Sequence, residues 1–496
     1  MSTITRIDLP RSLRREDLRP LPATARTRTG GGDPLGFPGY AQKLADLGDD
    51  DESVAVGLAT LAGNDVVVAL GDFGVLGGSM GQVHGDRVAL AMEVALERRL
   101  PFLAVTSSGG ARMQEGMVSL VQMARTAEGI RRLRDAGLPV LAHFTHPTTG
   151  GVHASYGALA DVVVADAGAT IGFAGPRVVE AFTGEPVGED SHTAEAALRA
   201  GLVDVVAAEG DAPPYLEAFV DLLHPALRHG PLPVAEHVEE PVVVHDAWDA
   251  VRAARRNDRP SARDLLHDVF DDHLELRGDR AGEDDPAVVA AVARLGQRRV
   301  VVVGFDRRGV AEAAGRRPGQ PNAAGFRKLR RAADLARRWN LPLVSFIDTA
   351  GADPSPASDR SGLAAAIAET FVAVLSVGAP TVAVVTGEGG SGGALAIGAT
   401  DRLLMQDDAV FEIIAPEGAA SILHRDPTRA EEVAPLLKPT ASDLRDLGIC
   451  DRIVPGPTTF DPRTAAIALR AELAATLADL DADDDRLDAR HRRYGV

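Results

Sequence analysis

Short apolar runs punctuate this chain at regular intervals, and several end in glycine. Val66–Leu70, Phe102–Val105, Pro139–Phe144, Asp161–Ala165 and Ala169–Phe173 read as buried strands. In the second half Val300–Val303, Leu343–Ile347, Ala379–Val385, Arg402–Met405 and Val410–Ile414 read the same way. Helical spacing fills the gaps. His84–Arg98 places Val88, Met92, Ala95 and Leu96 on one side, and a long helix runs to about Ala136. Ala324–Trp339 and a stretch from about Ser361 to Val377 are their counterparts, and a further helix begins near Asp246-Ala-Trp248. Strands alternating with helices predict α/β units with mainly parallel pairing.

The two halves repeat. Gly110 to Gly351 is 351 − 110 = 241 residues, and Gly151 to Gly393 is 393 − 151 = 242. A repeat this long is a domain duplication, not a solenoid. The pattern predicts a flexible N-terminal arm over 1–40, with seven arginines and Gly30-Gly31-Gly32. A first domain follows over 41–223, a Pro- and His-rich linker over 224–243, a second domain over 244–480, and a charged tail over 481–496, read as a helix end or a frayed terminus.

Glycine marks the candidate chemistry. Thr386–Gly398 (T-G-E-G-G-S-G-G-A-L-A-I-G) lies between an apolar strand and a run that can start a helix. Such density suggests backbone that must approach something closely. The first helical turn offers unpaired N–H groups that can hold a negative oxygen. It is not a phosphate P-loop, because Ala394 and Leu395 stand where Lys and Ser or Thr would be needed. Taken alone the cluster also fits a tight turn with close helix packing. A second cluster at Gly150-Gly151, at the repeated spacing, favours function.

Composition narrows the class. The chain has 496 residues and a formal net charge of −19, which argues against general nucleic-acid or anionic-membrane binding. One cysteine, Cys450, rules out an intramolecular disulfide and a four-cysteine zinc ribbon. No apolar run approaches about 18 residues and no signal-peptide core is seen, so a cytoplasmic protein is expected. The 13 histidines show no metal-ligand spacing, and no metal site is expected.

The longer motifs carry a resemblance. S-S-G-G-A-R-M-Q-E-G (Ser107–Gly116), P-T-T-G-G-V-H-A-S and I-G-F-A-G-P-R-V-V-E (Ile171–Glu180) resemble the β subunit of the carboxyltransferase of bacterial acetyl-CoA carboxylase. L-R-G-D-R-A-G-E-D-D-P-A-V-V (Leu276–Val289), F-I-D-T-A-G-A, G-E-G-G-S-G-G-A-L-A-I-G and I-A-P-E-G-A-A-S-I-L (Ile414–Leu423) resemble the α subunit. The likeness covers about residues 45–210 and 245–457 and implies a β–α fusion. It implies two tandem crotonase-like domains (the ClpP/crotonase ββα superhelix). The family's zinc ribbon is absent, Ala350 replaces a proline, and Pro354–Arg360 replaces an acidic stretch.

The resemblance also implies a function. A carboxyl group would pass from carboxybiotin, on a separate biotin carboxyl carrier protein charged by a separate biotin carboxylase, to the α-carbon of an acyl-CoA. Acetyl-CoA is the expected acceptor, giving malonyl-CoA, with propionyl the nearest competitor. Negative charge would develop on a thioester oxygen and on a ureido oxygen, so two oxyanion holes are expected. Carried over, Gly150 and Gly151 hold the thioester oxygen, and Gly393 and Ala394 the ureido oxygen. Gly109, Gly110, Ala111 and Arg112 with Gly351, Ala352, Gly390 and Gly392 line the substrate. Arg112 is open to two readings, a CoA contact or a structural ion pair. Arg316 and Arg317 belong to an Arg-rich stretch, 307–338, that reads either as a contact for CoA phosphates or an acidic carrier, or as a solvated helix face. A homo-oligomer, dimer or hexamer, is expected, with the active site between a first-half and a second-half domain. Two alternatives are a malonyl-thioester decarboxylase or specialised carboxyltransferase, and a non-catalytic scaffold subunit.

Overall fold

The computed structural model describes residues 13–21, 33–47, 52–188, 191–208, 210–241, 246–309, 316 and 319–495. The chain forms two units. One runs through Ala226 and includes Arg280–Gly282, and the other takes the remainder from Leu227. Most of the arm's arginines, Arg317 and residues 242–245 lie outside the described residues.

In the first unit β1 (Val54–Leu61) and β2 (Asn64–Gly71) form an antiparallel hairpin. Its two-residue turn uses Ala62 and Gly63, both at positive φ. β3 (Phe102–Ser108), β4 (Val140–Thr149), β5 (Val162–Asp166) and β7 (Val205–Ala207) continue in parallel, and β6 (Ile171–Gly172) pairs with the end of β4. The helices Gln82–Arg98 and Met117–Asp135 cover one face. That core is built from Val88, Met92, Phe102, Ala142 and Phe144, all almost wholly buried. Each buried Val, Met or Phe contributes about 1.5–3 kcal/mol.

The second unit repeats the plan. β9 (Val288–Leu295) and β10 (Arg298–Phe305) form the hairpin. β11 (Leu343–Thr349), β12 (Thr381–Gly390), β13 (Arg402–Gln406) and β15 (Arg452–Val454) follow in parallel, and β14 (Val410–Glu412) pairs with the end of β12. β8 (Asp272–Glu275) adds an edge. The helix Ala323–Trp339 shows why the sequence folds this way. Asn322 caps its start by accepting from Gly325 N, and Asn340 ends it at φ 52°. Phe326, Leu329, Ala333 and Ala336 give it a buried stripe. Among the described residues no helix is long and apolar enough to cross a membrane.

Two segments differ from expectation, and the tail takes one of its two readings. Arg19 exchanges backbone bonds with Leu58, and Tyr40 is buried against Glu115, so the described parts of the arm are docked on the first unit. The stretch read as a linker packs on the second unit, with His237 bonded to Glu472 and to Asp479. The tail holds a helix, Arg486–Arg493, whose buried Arg490 pairs with Asp401. The sequence pattern hides all three, because each is held by polar contacts to distant residues.

Candidate functional site

The glycine clusters sit where parallel strands end. In the first unit Gly109 N donates to Gly77 O (2.9 Å) and Gly110 N to Ser108 Oγ (3.0 Å). Met80 N donates to Gly110 O, and Arg112 N to Met80 O. This brackets Ala111, whose own N–H has no acceptor among the described residues. One strand over, β4 ends at Thr149 and a short helical turn, Gly150–Val152, begins. Gly150 has φ 61° and donates to Phe173 O at 2.8 Å. Gly151 N has no acceptor among the described residues. The two turns touch: a Cβ on Gly150 would lie 2.6 Å from Gly110 Cα, and one on Gly151 would lie 3.3 Å from Ala111 N.

The second unit repeats this arrangement. Gly351 N donates to Thr349 Oγ1 (3.1 Å), and Asp353 N to Pro321 O (2.9 Å), leaving the N–H of Ala352 between them without an acceptor among the described residues. β12 ends at Gly390, whose Cβ would collide with Ala350 C at 2.5 Å. The turn Ser391–Leu395 follows, and Gly393 N has no acceptor among the described residues. A Cβ on Gly393 would lie 3.1 Å from Ala352 N. Ala394 is buried beside it, and Gly392 faces open space.

The geometry therefore refines the expected donors. Gly150, Gly109, Gly110 and Gly351 spend their N–H groups inside the turns. The open pairs are Ala111 with Gly151, and Ala352 with Gly393. These are preorganised donors of the kind that stabilise a developing oxyanion. The pairing of two separate turns was missed from sequence. Its available signal was the repeated spacing of the S-G-G-A and T-A-G-A motifs relative to the strand-end glycines.

Arg112 resolves one of the two readings. It is 1% exposed, and its guanidinium bonds Glu52, Glu115, Tyr40, Ser53 and Ser79. Burial alone would raise the Glu52 carboxyl, but the Arg112 hydrogen bond and charge hold it below its usual range. Of the two readings, the structural ion pair is the one observed. Arg316 likewise turns inward, to Asp285 Oδ2 (2.8 Å) and Gln320 O (3.1 Å). Its neighbours are also tied: Arg307 to Asp348, Arg327 to Asp279, Lys328 to Asp284 and Arg330 to Glu369. Acids distant in sequence neutralise a stretch that looked unopposed.

A buried charge cluster backs the second turn. Arg255 spans Glu388 on β12 and Glu417. Glu412, opposite Gly390 in the β12–β14 ladder, is buried with neither carboxylate oxygen hydrogen-bonded among the described residues. Burial, with the charge of Glu388 beside it, pushes its carboxyl up to about 8 against the pull of Arg255. Sequence gave no hint of this, since Arg255 and Glu388 are 133 residues apart.

The fold is similar to that of two solved structures. It is similar to transcarboxylase 12S, a hexamer solved with methylmalonyl-coenzyme A bound, with a TM-score of 0.75 at 24% identity, covering 90% of this chain and 84% of that one. A single-chain, multi-domain long-chain acyl-CoA carboxylase matches with a TM-score of 0.70 at 18% identity, covering 92% of this chain and 45% of that one. The family model described as acetyl co-enzyme A carboxylase carboxyltransferase-like matches residues 235–495. The chain is 43% identical to the acetyl-coenzyme A carboxylase carboxyl transferase subunits beta/alpha of Salinispora tropica, over 86% of this chain and 78% of that protein. It is 39% identical to a probable biotin-dependent acyl-coenzyme A carboxylase beta3 subunit of Mycobacterium bovis, over 93% and 94%. This chain belongs to the acetyl-CoA carboxylase carboxyltransferase family.

Proposed function

We propose that the chain is a biotin-dependent carboxyltransferase that moves a carboxyl group from carboxybiotin on a carrier protein to the α-carbon of an acyl-CoA, acetyl-CoA first. The observation that carries this reading is the recurrence of two open backbone N–H groups at equivalent strand ends in both units. One pair, Ala111 and Gly151, suits a thioester oxygen. The other, Ala352 and Gly393 with Ala394 beside them, suits a ureido oxygen.

The second cradle fits biotin, because its N–H groups lack acceptors and Gly392 leaves open space. Carboxybiotin, when bound, supplies the carboxyl group. The chain's own part is to orient and to stabilise charge. The N–H pairs are fixed before reaction, so they need no reorganisation as charge develops.

Assembly belongs to the same reading. Phe173 and Phe182 in the first unit, and Ile413 and Ile422 in the second, are large apolar side chains at equivalent places and well exposed. Phe173 supplies the carbonyl that holds Gly150. Apolar surface flanking both turns supports coverage by a second copy of the chain.

Biocytin-dependent decarboxylation of malonyl-CoA and methylmalonyl-CoA tests the proposal. Turnover that needs biocytin supports it, and comparing substrates ranks the acyl groups. Turnover without biocytin would instead identify a decarboxylase. No turnover from a folded, carrier-binding protein would identify a scaffold subunit.

A further inference from the structure

The duplication supplies an internal control. Phe102 pairs with Val140 in the first sheet as Leu343 pairs with Thr381 in the second, so Val105 corresponds to Phe346 and His143 to Val384. In the second unit Phe346 and Val384 are fully buried and belong to one solid core with Leu469 and Leu473, and Phe346 lies 6.3 Å from the Phe270 ring. That face of the sheet is closed. In the first unit the smaller Val105 and the polar His143 stand there, under the helix Ala212–Leu223, and a cavity of about 310 Å³ remains.

The cavity is built rather than empty by default. Leu61, Leu70, Val105 and Leu216 form an apolar wall, and Asp72, Ser107 and Thr145 add polar groups. His143, on β4, has a side chain 8% exposed. Its Nε2 lies 2.8 Å from Asp166 Oδ1. In the tautomer whose Nε2–H donates to that carboxylate, Nδ1 is the acceptor. Nδ1 has no hydrogen-bond partner among the described residues and stays accessible, and the ring lines the cavity. Among the described residues no Lys or Arg lines the space, whereas Asp72 and Asp166 do. The lining is therefore apolar on one side and, on the other, an acceptor beside two acidic groups. It would attract a cation that can donate a hydrogen bond and would repel a carboxylate.

We propose that this cavity is a binding site for a small primary amine with an apolar body, its ammonium group donating to His143 Nδ1 and its body lying on the Leu61, Leu70 and Leu216 wall. At about 30 Å³ per water-sized volume, the space takes about ten non-hydrogen atoms. The site is separate from the two glycine turns and does not depend on the carboxyltransferase reading.

The probe is 2-phenylethylamine, with 3-phenylpropionate as its acidic counterpart, titrated calorimetrically into the full chain. The amine should bind at about millimolar concentration or tighter, and the acid at least about tenfold more weakly. His143→Val should weaken the amine at least about tenfold. Val105→Phe, which copies the second unit, should abolish binding. If either variant fails to fold, the wild-type protein still decides, because the amine must shift the His143 Nδ1 resonance in a side-chain ¹⁵N spectrum. Equal binding of the acid, no amine binding up to about 10 mM, unchanged affinity in a folded His143→Val, or a silent Nδ1 resonance would each overturn the proposal.

Discussion

A methyl group on Gly393 would stand 3.1 Å from the amide nitrogen of Ala352. The position where a substrate oxygen could meet both N–H groups is therefore the space that any side chain on Gly393 would invade. Gly151 and Ala111 stand in the same relationship, at 3.3 Å.

Gly393→Val and Gly151→Val should each lower biocytin-dependent turnover by about 10²–10³. Neither glycine has a positive φ, so the backbone conformation accepts a side chain, but the close contacts of each should lower the thermal midpoint, and the loss of turnover should exceed what that fall explains. Gly150→Ala makes the contrast. With φ 61° and a Cβ 2.6 Å from Gly110 Cα, it should lower the midpoint and activity together. Circular-dichroism melts beside the turnover assay separate the two patterns.

Arg316→Glu should act on stability before substrate affinity. Its partner Asp285 is fully buried and also accepts from Asn322 N and Ala287 N. Reversing the charge leaves a buried carboxylate beside another acid, a change worth about 3–5 kcal/mol. Denaturant unfolding should show that loss. A normal unfolding midpoint with a raised KM for acyl-CoA would return Arg316 to the substrate site.

Glu412 predicts a pH dependence. Its carboxyl is usually near 4.5 and is pushed to about 8 in the fold. Between those values the folded chain holds a proton that the unfolded chain releases, so stability falls as pH rises across the window and stays low above it. The facing charges are Arg255, Glu388 and Glu417. Glu412→Gln should flatten the slope and melt higher than wild type at pH 8.5. Parallel melting curves for the two proteins would exclude the idea.

Much of this architecture was legible from runs such as Leu343–Ile347 and Ala379–Val385, because parallel strands buried on both faces are continuously apolar. The hairpin strands β1 and β9 went unread. Their signal was local: Ala62-Gly63 and Gly296-Gln297 are two-residue links between apolar runs. Within the site, the glycine clusters were legible as places, but their open donors were not. Which N–H remains free depends on Phe173, Gly77 and Thr349 occupying its neighbours. Arg112 was left open between two readings, and Arg316 was misread, for a related reason. An arginine's partner is set by tertiary contact, and Glu52 lies 60 residues from Arg112.

The backbone exchange between Arg19 and Leu58 has a consequence for handling the protein. β1 is an edge strand, and its outward N–H and C=O groups form a template on which a foreign strand could grow. Arg19 occupies that template at Leu58, with its side chain held by Thr60 and Asp65. Shortened versions beginning after Leu21 should therefore keep their fold but self-associate into sedimenting aggregates, detectable by light scattering during purification.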